Sequence, residues 1–172
     1  MKKLRLLTTK YCPKDCTGCC NKDWDLNKLP VVDDFNKYDE IIITGGEPLD
    51  ISTREHTLSL INYIYDWCNS KRIIVYSAYG PGIIWLMRNT NIDGITYTIH
   101  DESDVESLRI VAKYFNAENF WLPQVSLRLN VLKGIDIPDD IDLKLWKVKK
   151  DIEWIPNCLL PKDEVFMKMP GV

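Results

Sequence analysis

The chain has 172 residues and a mass of 20.0 kDa, the size of one domain, with 45% hydrophobic and 27% charged residues. That balance excludes a disordered chain, and the length suffices to bury a core without disulfide staples. Twenty-two Lys and Arg against 25 Asp and Glu give a net charge of -3, so bulk electrostatics carry no nucleic-acid footprint.

Met1, Lys2 and Lys3 are basic or initiating, but the apolar run Leu4 to Leu7 is too short for a signal-peptide core. No stretch has the apolar length a transmembrane helix requires. The expectation is one cytoplasmic domain over residues 1–172, with neither nucleic acid nor membrane as a partner.

In chain order, residues 3–8 (KLRLLT) form a short apolar run suited to a buried strand. The polar, cysteine-rich segment 9–27 reads as a loop. Residues 40–44 (EIIIT) are a β-branched strand closed by Gly45 and Gly46. Ser52 with Glu55 makes a capping-box pattern opening a helix, in which Leu58, Ile61, Ile64, Tyr65 and Cys68 share one face. Residues 72–77 (RIIVYS) form the next strand, followed by Tyr79, Gly80, Pro81 and Gly82 and a short helix from about Ile83.

Residues 94–99 (GITYTI) are a further strand, and Ser103 with Glu106 repeats the capping signal. Val105, Leu108, Val111, Ala112 and Phe115 make the buried stripe of that helix. Residues 124–132 (QVSLRLNVL) alternate as a strand, Pro138 to Asp140 form a turn that can open a short helix, and residues 151–155 form a last strand. Strand and helix alternate from end to end, which predicts an α/β fold with a mostly parallel sheet and right-handed crossovers.

Six cysteines in such a chain call for a chemical reason, and four fall between positions 12 and 20. Bunching of this kind points to metal rather than to a disulfide framework. Cys12, Cys16 and Cys19 have the spacing CxxxCxxC, so one tight loop can offer three thiolates to three irons of a [4Fe-4S] cube, with the fourth iron open to a small molecule. Cys20, adjacent to Cys19, makes a poor fourth ligand. The other reading is structural zinc, which prefers paired CxxC or His spacings that have no counterpart here.

The second motif is Gly45-Gly46-Glu47-Pro48 at the end of its strand. Paired glycines let backbone approach a ligand closely, and the carboxyl end of a parallel strand is where α/β folds bind ligands. Glu47 offers an acceptor to a cationic amine.

CxxxCxxC followed by GGEP resembles the radical S-adenosylmethionine (SAM) superfamily, over residues 3 to about 133 in element order. The resemblance implies a [4Fe-4S] cluster on Cys12, Cys16 and Cys19, with Gly45, Gly46, Glu47 and Pro48 receiving the SAM amino group. It implies a partial β/α barrel, since a complete eight-stranded one takes about 250 residues. Five or six strands are expected, open along one side. Reductive cleavage of SAM to methionine and a 5′-deoxyadenosyl radical is the implied reaction, fed by an electron donor such as flavodoxin or ferredoxin.

Cys16-Thr17-Gly18-Cys19-Cys20-Asn21 with Trp24 looks like the version found in activases of anaerobic ribonucleotide reductase, and many superfamily members carry an aromatic residue at the position of Gly18. The implied substrate is a glycyl-radical enzyme. The same branch contains 7-carboxy-7-deazaguanine synthases, which makes small-molecule rearrangement the alternative. A zinc-stabilised binding module without catalysis is the alternative from another class.

Ser77 and His100 at strand ends, and Arg128 and Asn130 on the fifth strand, are further SAM-contact candidates by position in the resemblance. His100 and Arg128 read equally well as structural residues. His56 reads as solvated surface, Cys68 as a small buried hydrophobe, and Cys158 stands alone. Residues 134–172 carry no recognisable activase motif; in a small-molecule enzyme they would fold over the strand ends.

Overall fold

The structure is a computed structural model that describes all residues except 69–70, 118–124 and 155–158. It is an α/β fold built on one open, seven-stranded, all-parallel sheet. The strands are β1 (Lys3–Leu7), β2 (Glu40–Thr44), β3 (Arg72–Ser77), β4 (Gly94–Ile99), β5 (Ser126–Leu132), β6 (Lys147–Ile152) and β7 (Glu164–Lys168). The helices are α1 (Arg54–Trp67), α2 (Gly80–Asn89) and α3 (Ser103–Ala117).

The strand order is β6-β5-β4-β3-β2-β1-β7. From β1 to β6 every step goes the same way across the sheet, so right-handed crossovers put their helices on one face. The burial pattern shows this directly. Leu4, Leu6, Ile41, Ile43, Ile73, Val75, Ile95, Tyr97, Leu127 and Leu129 share a core with Ile61 and Ile64 of α1, Ile83 and Leu86 of α2, and Leu108 and Val111 of α3. The alternate residues of these strands, among them Arg5, Thr44, Tyr76 and Thr98, point to the helix-free face. A second small apolar cluster of Leu7, Leu29 and Phe166, with Trp24 edge-on to Phe166, covers part of that face near β1 and β7.

β2, β3 and β4 have the limits expected from their β-branched runs, and β1 ends one residue earlier. Two edge strands differ from expectation. β6 begins at Lys147 rather than 151 and is exposed along almost its whole length, so no apolar alternation announces it. Its lysines suit an edge that must not pair with another chain. β7 has no counterpart in the sequence reading. It adds to the free side of β1 in parallel register, Lys3 opposite Glu164, and is held by buried Phe166, a burial worth about 1.5–3 kcal/mol. Seven strands therefore replace the expected five or six. Residues 134–172 supply both edges of the sheet.

The capping boxes also change. Ser52 gives its N–H and hydroxyl to Asp50 (2.9 and 2.6 Å), and α1 opens after Thr53, whose hydroxyl donates to the Glu47 carbonyl (2.7 Å). At α3, Asp101 accepts from Ser103 N–H (2.9 Å) while Asp104 accepts from His100 N–H (2.8 Å). In both places an aspartate two residues upstream takes the acceptor role from serine, as a charged acceptor at a helix N-terminus should. The α1 stripe is turned slightly: Thr57 and Leu60 are buried instead of Leu58 and Tyr65, because the Thr57 hydroxyl donates to the Pro48 carbonyl at 2.7 Å. α2 starts at Gly80, three residues before Ile83, with Pro81 in its first turn where the missing N–H costs nothing. Asp139 and Asp140 form a turn, and no helix follows it. Gln124 and Ile155, the outer limits expected for two strands, lie outside the described residues.

Candidate active site

The carboxyl ends of β1 to β4 meet in a cavity of about 420 Å³. Cys12, Cys16, Cys19, Gly45, Gly46, Glu47, Ser77 and His100 all line it, so the structure gathers candidates that are far apart in sequence. Arg5, Thr44, Tyr76 and Thr98 add polar groups from the helix-free face. Arg128 is exposed on β5, opposite Lys147 of β6, and Asn130 is half-buried opposite Lys149. Neither lines the cavity. Pro48 is buried behind it, its carbonyl occupied by Thr57.

The cysteine loop leaves β1 and is docked on the end of β2 by hydrogen bonds the sequence does not advertise. Gly46 N–H donates to the Thr9 carbonyl at 2.7 Å, and Glu47 N–H donates to the Tyr11 carbonyl at 2.8 Å. Asn21 donates its side-chain amide to the Gly45 carbonyl. Gly45 adopts a φ of 138°, and a Cβ on Gly46 would overlap the Tyr11 carbonyl. These glycines are therefore needed for the approach of the loop backbone itself, before any ligand is considered. Within the loop, Cys19 N–H donates to the Cys16 carbonyl (3.2 Å), which folds the two cysteines towards each other.

Glu47 is held by hydrogen bonds within the chain. It is 4% exposed, and its carboxylate accepts from Ser77 Oγ (2.7 Å), Ala78 N–H (2.8 Å) and Leu49 N–H (3.1 Å). Burial pushes its carboxyl up, and the three donors pull it back. The side chain ties the end of β2 to the end of β3. Ser77 is drawn into the same tie, donating to Glu47 while accepting from Tyr79 N–H at 2.9 Å.

His100 lies at the end of β4 with its ring stacked on Trp154, centroids 5.4 Å apart and planes 4° from parallel. Burial pushes its pKa down, so the imidazole is neutral near pH 7, and its buried Nδ1 has no partner among the described residues. Trp154 also fills the space where Gly18 would carry a Cβ. An aromatic ring from the C-terminal segment thus occupies the surroundings of a loop position that is itself bare. No sequence pattern announces this pairing.

The three thiols are half-buried and close enough to affect one another: burial first, and then the neighbouring Cys12 and Cys19, push the Cys16 thiol up. Cys20 is half-buried in the same wall, and Cys68 is buried beneath α1 as expected of a small hydrophobe. Cys158 lies outside the described residues. Among the described residues, no three His, Cys, Asp or Glu side chains are arranged to hold a single metal ion. A cube takes one thiolate at each of three irons, and Cys12, Cys16 and Cys19, which line one cavity, are donors of that kind.

No protein-family model matches the chain, and no curated protein matches it either. No helix among the described residues is long and apolar enough to cross a membrane.

Proposed function

We propose that the chain is a radical SAM enzyme whose three loop cysteines hold a [4Fe-4S] cluster at the carboxyl ends of a partial β/α barrel. The observation that carries this reading is that the residues flanking the three cysteines are docked on the glycine motif, Thr9 and Tyr11 on Gly46 and Glu47 and Asn21 on Gly45, which brings the two motifs together. When bound, the reduced cluster supplies one electron to SAM, giving methionine and a 5′-deoxyadenosyl radical that takes hydrogen from substrate.

The chain's own residues provide the cradle. Cys12, Cys16 and Cys19 supply thiolates. Glu47 fixes the strand ends, which leaves the Gly46 carbonyl, with no protein donor among the described residues, as the acceptor for the SAM amine. Neutral His100, with its Nδ1 unpartnered, offers an acceptor at the β4 end. Leu26 and Trp154 add apolar surface to the walls. A flavodoxin or ferredoxin is the proposed electron donor.

The substrate we assign is a glycine of a protein partner, a glycyl-radical enzyme of the anaerobic ribonucleotide reductase kind. The sheet is open between β6 and β7, and a docking protein would complete the enclosure. One observation favours the small-molecule alternative: Trp154, from the C-terminal segment, already covers part of the strand ends. Deleting residues 134–172 does not separate the two, because it removes both edge strands.

Incubation with an anaerobic ribonucleotide reductase, SAM and reductant is expected to give a stable organic radical on the partner, read by paramagnetic resonance. Conversion of 6-carboxytetrahydropterin into 7-carboxy-7-deazaguanine, with no radical on the partner, would replace this assignment by the alternative.

A further inference from the structure

We infer that Lys14 is a positioning residue, an ionic latch that fastens the stretch between Cys12 and Cys16 to the first turn of α3. Its ammonium lies 2.7 Å from Asp104 Oδ1 and 3.2 Å from Asp101 Oδ2. Both carboxylates are themselves fixed. Asp104 accepts the His100 N–H at 2.8 Å, and Asp101 accepts the Ser103 N–H at 2.9 Å and its hydroxyl.

Ion pairs on open surface contribute little, because water competes for both partners. This one is enclosed on its main side: the Asp104 side chain is 8% exposed and Lys14 23%. Loss of the ammonium would leave the Asp104 carboxylate buried with the His100 amide as its one hydrogen-bond donor among the described residues. The pair therefore resists separation more than its place in a loop suggests.

Position gives the latch its meaning. The bonds that dock the loop on β2 use Thr9, Tyr11 and Asn21, before Cys12 and after Cys19. Lys22 joins Asp15 (2.9 Å), but both belong to the loop, so that pair ties it to nothing else. Among the described residues, Lys14 is what holds the 12–16 stretch to the sheet's β4 side. It fastens the stretch between the first two cysteines beside the β4 end, where Cys12, Cys16 and His100 line the same cavity. That holding these cysteines serves a cluster rests on the function proposed above; the latch itself does not.

Hydrogen exchange read by mass spectrometry on the full-length, metal-free protein tests the latch. Lys14→Met should speed exchange in the 10–19 peptide, and at the Gly46 and Glu47 amides that donate to the loop, by about tenfold. Peptides from β3 and α1 should not change. Lys14→Arg should restore most of the protection, and Asp104→Asn should act like Lys14→Met, with the double variant adding nothing more. Equal exchange in Lys14→Met and wild type, additive effects of the two substitutions, or uniform acceleration across the chain would each overturn the latch.

After anaerobic reconstitution, Lys14→Met should also lose iron to a chelator about tenfold faster than wild type. A wild type that takes up no iron would defeat the cluster reading while the exchange result still decided the latch.

Discussion

Alanine at Cys12, Cys16 or Cys19 is expected to leave the anaerobically reconstituted protein without its iron, while Cys20→Ala, Cys68→Ala and Cys158→Ala retain it. A methyl group cannot ligate iron, and a three-thiolate cube has no spare protein ligand to compensate. The cavity sharpens the contrast, because Cys20 lines it as well. Its retention of iron would separate a defined three-cysteine set from a loose pool of thiols. Cys68 belongs to the helix-side core and serves as the packing control. Iron and sulfide analysis of the six variants reads the result. Equal content in Cys16→Ala and wild type would end the assignment.

Gly46→Val is expected to cost the protein both its loop geometry and its iron. A valine Cβ would overlap the Tyr11 carbonyl, and the neighbouring carbon of Lys10 is also too near. Backbone cannot step aside as a flexible side chain would, so the docking bonds from Gly46 and Glu47 to Thr9 and Tyr11 must break. Overpacking of this kind costs about 1–3 kcal/mol of stability. The larger effect is local, since those bonds fix the approach to Cys12. Denaturant melts together with iron content measure the two separately. A variant that keeps full iron and loses only SAM affinity would show that the docking bonds do not hold the cysteines in place.

β2, β3 and β4 were legible because each is a β-branched run between turn residues, and a strand buried on both faces leaves that signature. β6 and β7 were not, for the opposite reason. An edge strand such as residues 147–152 is solvated along most of its length, and its existence depends on β5 offering a free partner. β7 likewise depends on the free side of β1. The cysteines stood out because ligand chemistry constrains their spacing. Lys14 did not, because the spacing CxxxCxxC treats it as filler while its partners lie beyond β4. Glu47 was visible as a motif residue, but no local pattern shows that Ser77, Ala78 and Leu49 would donate to its carboxylate. Arg128 and Asn130 lie on the fifth strand as expected, but strand position alone did not bring them to the cavity.

Anaerobic reconstitution with iron and sulfide, followed by reduction in the presence of SAM, tests the central claim most directly. The account predicts a brown protein with about four irons per chain that forms methionine and 5′-deoxyadenosine. A colourless protein that binds one zinc and leaves SAM intact would contradict it.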